Sequence, residues 1–286
     1  MPELRNEWRA IGWQVFGSTL LMFALYWLSR PISVENIPFG EQLLTLLLVA
    51  WPVLLWLYFS FMRNQGSANP TSGLLLVFVL CFLAARALVL PLVEQWLQPD
   101  LWLPGAQTIT RLLGFSLVIG FTQECTRYFV IRYTMWGSGI RSRKDVVAYG
   151  TAGAVSCALA VNLDWLFATE VEVPAVALAI LETQLLHFTG AMTLALGMSE
   201  VRLGQANPFL LAFATLSASL QVGILISARA GLANTSFSLP TSDASLWIGA
   251  VWIVIGALSF LSINAILFLR ADRSPIHLAE NRTIAV

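Results

Sequence analysis

Residues 120–128 read Gly120-Phe121-Thr122-Gln123-Glu124-Cys125-Thr126-Arg127-Tyr128, in the middle of an apolar segment long enough to cross a bilayer. A carboxylate and a guanidinium at that depth each carry a cost of several kcal/mol unless they pair or line a polar cavity. Residues three apart share one helix face, so Glu124 and Arg127 are placed to pair. Working outward, later apolar segments add Asn162, Asp164, Glu182, His187 and Gln221 at comparable depth. The expectation is an all-α bundle that carries a polar site inside a membrane.

Composition supports the membrane setting. Of 286 residues, 57% are hydrophobic and 11% charged, and the mean hydropathy is +0.74, outside the range of soluble domains. Sixteen basic residues balance sixteen acidic ones, so no nucleic-acid partner is expected; the expected surroundings are the lipid bilayer. Windows of about 20 apolar residues, the length that spans a bilayer, fall roughly at 11–29, 41–62, 72–94, 107–134, 146–169, 174–199, 207–228 and 246–270. The first follows Arg5 and Arg9 as a signal peptide would, but Tyr26-Trp27-Leu28-Ser29-Arg30-Pro31 has no small-residue cleavage pattern, so it is read as a span. Polar, turn-rich stretches at 64–70, 137–139 and 233–245 are placed outside the hydrocarbon.

A cytoplasmic N-terminus puts eleven basic residues on the cytoplasmic side and leaves two, Arg30 and Arg229, on the other. An even number of spans then returns the C-terminus to the cytoplasm. That arginine bias suits a bacterial plasma (inner) membrane. The chain is expected to be a single integral domain over 1–286, with a core at 107–228 and a cytoplasmic tail at 271–286 that carries His277 as solvated surface. Gly150, Gly153 and Ala154, then Gly190 and Gly197, then Ser219 and Gly223 are expected to bring spans five to seven close together. No internal repeat of the kind common in secondary transporters is evident. Cys81, Cys125 and Cys157 read as small buried hydrophobes, with neither a disulfide nor a cysteine metal site assigned. Trp27, Trp51 and Trp56 are expected at the membrane interface or against lipid.

Two hydrolytic routes are open to such a site: a metal held by histidine and carboxylate with an open position, or a buried carboxylate acting as general base. Glu124 suits either. His187 lies near the middle of the sixth span, but Glu182, five residues earlier, is about 140° round the helix, so the two do not aim at one centre. Asn162 and Asp164, two apart, diverge likewise. A third strong ligand is not evident.

Taken together, Phe121-Thr122-Gln123-Glu124-Cys125-Thr126-Arg127-Tyr128 resembles the Glu-Glu-x-x-Lys/Arg motif of PrsW-type intramembrane proteases. Their clan also holds the CPBP (CAAX-protease) enzymes and the APH scaffold subunit of gamma-secretase. Tyr149-Gly150 and Val161-Asn162 are similar to the family's Tyr-Gly opening and its Glu-Asn pair, His187 matches its single His in the following span, and Gln221 stands where a last His is expected. The resemblance covers about residues 115–228, and the spacing of Arg127 favours PrsW over CPBP. It implies a site built from Glu124, Arg127 and His187, with Gln123, Asn162, Asp164 and Gln221 in the polar core.

Three departures bear on function. Gln123 replaces the first of two adjacent carboxylates, Val161 replaces a Glu, and Gln221 replaces a His. A glutamine amide is neither a general base near neutral pH nor a good metal ligand. Asp164, one turn on, is the residue placed to compensate for Val161. The pattern that remains is closer to the non-catalytic APH subunit. The leading expectation is therefore a scaffold that binds another membrane protein or a membrane-embedded peptide, without cofactor. A working intramembrane endopeptidase is the alternative: Glu124 would activate water, Arg127 would orient Glu124, and His187 would steady the oxyanion or share a zinc ion with Glu124. A transporter or small-ligand receptor using Arg86, Glu124 and His187 is a second alternative.

Overall fold

Helices buried among other helices need small side chains, and Gly150, Ala152, Gly153, Ala154, Ser156, Ala158 and Ala160 supply them along one segment. In the computed structural model, which describes residues 2–28, 40–62, 71–103, 105–137, 139–167, 172–234 and 246–272, that segment is the central helix of an all-α bundle. No strand occurs among the described residues. The helices are α1 (Pro2–Leu28), α2 (Gly40–Leu57), α3 (Thr71–Ala84), the short α4 (Pro99–Trp102), α5 (Thr108–Phe115), α6 (Thr122–Met135), α7 (Arg143–Asn162), α8 (Val173–Leu203), α9 (Phe209–Asn234) and α10 (Leu246–Ala271).

Wide π turns extend several of them. Tyr58–Met62 continues α2, Ala85–Val89 and Leu92–Leu97 continue α3, and Ser116–Phe121 joins α5 to α6 without a break. Pro91, which cannot donate a backbone hydrogen bond, stands between the two π stretches that follow α3. With α5–α6 counted as one rod, the described residues form eight long rods, one for each expected window. Boundaries differ: the first rod begins at Pro2 rather than near residue 11, and the third runs on through Leu97.

Six of the rods are long and apolar enough to cross a membrane. The chain is a multi-pass membrane protein. The other two rods are α5–α6, which carries Arg111, Glu124, Arg127 and Arg132, and α7, which carries Arg143, Lys144 and Asp145 in its first turn. That first turn of α7 has a reciprocal cap, in which Asp145 Oδ2 accepts from the Ser142 backbone N–H (2.7 Å) while Asp145 N–H donates to Ser142 Oγ.

Helix α7 has 18 of its 20 residues buried, because α8, α3, α2 and α1 all pack against it. Helix α8 is the second hub, touching α7, α9, α10 and α1. The expected crowding of spans five to seven is present, and it extends to the α5–α6 rod. Gly120 lies against the Ser219 backbone of α9, and Gly223 of α9 lies against Ser116. Trp56 departs from expectation. It is 1% exposed, facing protein rather than lipid, and stacks on Phe78 with ring centroids 4.8 Å apart. Trp51 packs against the same core, whereas Trp27 is exposed. A ring that large is better covered by the α2–α3 contact than left at the belt. The 64–70 turn, most of 233–245 and His277 lie outside the described residues.

Close backbone approach makes a testable demand. An alanine Cβ at Gly120 would sit 2.9 Å from the Ser219 Cα, and backbone cannot swing aside as a side chain can. Gly120→Ala is expected to lower unfolding stability in detergent by about 1–3 kcal/mol. Gly12→Ala, where a Cβ meets nothing within 4 Å, is expected to leave stability unchanged or slightly raised.

Candidate functional site

The π stretch Ser116–Phe121 leads directly into α6, and its extra residue per turn sets the direction in which the next side chains project. Thr122 steadies the junction by donating to the Val118 and Ile119 carbonyls (2.6 and 3.0 Å). One turn on, Glu124 and Arg127 point inward between α7 and α8. Both are fully buried, and each charge at such depth needs a partner.

The pair is closed on itself. Arg127 Nη1 donates to both carboxylate oxygens of Glu124. Arg127 Nη2 lies 3.1 Å from His187 Nδ1 on α8. A guanidinium has no acceptor, so Nδ1 accepts and the ring proton resides on Nε2. Glu124, Arg127 and His187 thus form one hydrogen-bonded line from α6 to α8. Cys81 of α3 and Cys157 of α7 are buried within electrostatic reach of the guanidinium.

Two glycines make room for this line. A Cβ at Gly190 of α8 would collide with the Glu124 carboxylate, and one at Gly153 of α7 would come within 3.1 Å of the Arg127 Cγ and Cδ. Gly153 and Gly190, expected as packing residues, therefore have a second use: they hold the space that the ion pair fills.

The remaining nominated residues are not gathered here. Asp164 is half exposed and pairs with Arg86 (2.6 Å), whose Nη1 also donates to the Ala160 carbonyl (3.2 Å). It therefore does not stand in for Val161 in the polar core. The divergence of Asn162 from Asp164 is the reason: Asn162 is buried at the end of α7, with its Oδ1 unbonded among the described residues. Gln123 is half-buried, and no hydrogen bond joins it to Glu124, Arg127 or His187 among the described residues. Gln221 belongs to a second network. Its Oε1 accepts from the Thr193 hydroxyl (2.8 Å), which in turn accepts from Asn264 Nδ2 (2.9 Å).

The two networks are neighbours. Gly190 and Thr193 are three apart on α8, and Val222, next to Gln221, borders the space at Gly190. Asn264 is not among the residues expected at the site, although a lone amide in the last apolar run is a signal visible in the sequence. Thr193 gave none, because a threonine in a membrane helix ordinarily bonds to its own backbone.

Chemically, the arrangement is suited to holding helices together. Both oxygens of Glu124 are engaged by Arg127, and the carboxylate has no exposed surface from which to activate water. Among the described residues, no three His, Cys, Asp or Glu side chains come together as a metal site requires. Comparison with family models, curated proteins and solved structures finds no match to this chain.

The acceptor at His187 is testable by two replacements. His187→Leu leaves Arg127 Nη2 without a partner and is expected to destabilise the protein by about 1–3 kcal/mol. His187→Gln, whose Oε1 can accept in its place, is expected to lose distinctly less. Denaturant unfolding of both variants in the same detergent provides the comparison.

Proposed function

We propose that the protein is an integral membrane scaffold that binds another membrane protein, with a site that has the outline of the PrsW/APH pattern and a structural use. One observation carries this: Glu124, the residue that would have to activate water, has both oxygens tied to Arg127 in a space sealed by Gly153, Gly190 and their helices. A hydrolytic carboxylate must reach a water molecule, and this one is fully buried. The glutamines at 123 and 221 point the same way, since neither supplies a base or a strong ligand.

The arginine distribution supports cytoplasmic N- and C-termini and a bacterial plasma membrane as the host. In that orientation α8 and α10 end at the cytoplasmic face, where the Arg143–Glu200 pair (2.7 Å) ties the start of α7 to the last turns of α8.

The experiment sets hydrolysis against assembly. Protein purified from its native membrane in mild detergent is expected to carry no stoichiometric zinc and to leave a membrane-spanning reporter peptide uncut in liposomes. It is expected to migrate as a complex with one recurring membrane protein. His187→Leu, which disturbs the line between α6 and α8, is expected to weaken that complex. Peptide cleavage that is lost in Glu124→Gln, with the variant still folded, would overturn the scaffold assignment and leave the endopeptidase.

A further inference from the structure

A groove of about 400 Å³ opens between α8, α9 and α10, and no residue of the Glu124 line borders it. Its walls are mostly leucine, isoleucine and phenylalanine, as expected for a surface in contact with lipid. Its floor is not. There the Asn264–Thr193–Gln221 chain is laid across three helices. Thr193 joins the two amides, so each keeps an unused half: the Gln221 amide N–H groups and the Asn264 carbonyl oxygen have no partner among the described residues. Ser217, one turn from Gln221 on α9, lines the same groove.

Unused amide groups facing hydrocarbon are expensive, because lipid tails neither donate nor accept. An acyl chain would fill the apolar walls and leave that cost in place. The groove calls for an occupant that is apolar along its length and carries one donor–acceptor group at the depth of Gln221. Thr193 lies seven residues from Glu200 at the rim, so that depth is about 10 Å along the helix axes. Glu200, the one charged side chain among the described residues that line the groove, is paired with Arg143 (2.7 Å), so the occupant's group is taken to be uncharged. A transmembrane helix meets each requirement: its side chains enter the groove, its own backbone bonds are internally satisfied, and one Asn, Gln, Ser or Thr meets the amides.

We infer that this groove is the docking surface for a single transmembrane helix of another protein, recognised by an uncharged hydrogen-bonding side chain that pairs with Gln221 and Asn264. The inference rests on the scaffold assignment and specifies which face of the bundle takes the partner.

The test uses the full-length protein in liposomes and two synthetic transmembrane peptides of leucine and alanine. One has a single Asn two to three turns from its cytoplasmic end and the other has Leu there; association is read by energy transfer between labels. The Asn peptide is expected to bind about fivefold more tightly than the Leu peptide, within the range set by interhelical hydrogen bonds. Gln221→Leu with Asn264→Leu is expected to abolish that difference and leave binding of the Leu peptide unchanged. Ser217→Trp, which blocks the groove from its open side without altering the amides, is expected to abolish it too, and decides the matter if the amide variants fail to fold. Equal binding of the two peptides, or a preference that survives Ser217→Trp, would overturn the groove. If the native complex described above still assembles in Ser217→Trp, the scaffold assignment stands and the partner docks elsewhere.

Discussion

An arginine and a glutamate in a membrane interior can stay charged only if each answers the other, and the geometry around Glu124 and Arg127 follows from that condition. Three sides must be closed by protein, and α6 is closed in by α3, α7, α8 and α9. The guanidinium's second nitrogen needs an acceptor, and His187 provides it at 3.1 Å. The pair needs volume, and Gly153 and Gly190 leave it. Breaking one member strands the other charge, which costs more than the intact pair contributes. A buried pair of this kind is therefore better at specifying one arrangement of helices than at adding stability.

The same condition separates this site from a hydrolytic one. A catalytic carboxylate in a membrane needs an open side toward water or a metal, whereas Glu124 is enclosed and engaged at both oxygens. A second polar network lies elsewhere, bordering the groove, where Gln221 joins Thr193 and Asn264. A position that the family resemblance would give to a catalytic His is here an amide in a different network, facing a different cavity. The Glu124 line and the Gln221–Thr193–Asn264 network are thus separate, and only the second borders the groove between α8, α9 and α10.

Much of the fold was legible because lipid makes simple demands. Long apolar runs must be helices, and each of the eight windows became a rod. The pairing of Glu124 with Arg127 followed from their three-residue spacing, and the crowding of α7 to α9 from their glycines and serines. What could not be read was direction around the helix axis where no partner was known. Asp164 was placed with the polar core although it turns out to Arg86. Trp56 was assigned to lipid although it stacks on Phe78 inside the bundle. The π stretches were invisible as well, because a wide turn shifts every later side chain round the axis without leaving a mark in hydropathy. Asn264 shows the opposite lapse: its signal was present, but its partner Thr193 was not recognisable.

The most direct test of the central claim is a double-mutant cycle on Glu124 and Arg127, with unfolding free energies measured in one detergent for Glu124→Leu, Arg127→Leu and the double variant. Each single replacement leaves a buried charge unanswered and is expected to cost about 3–5 kcal/mol. The double variant, with both charges removed, is expected to lose far less than the sum, giving a coupling of at least about 2 kcal/mol. Effects that add to within about 0.5 kcal/mol would contradict the account, since they would mean that each side chain is satisfied without the other.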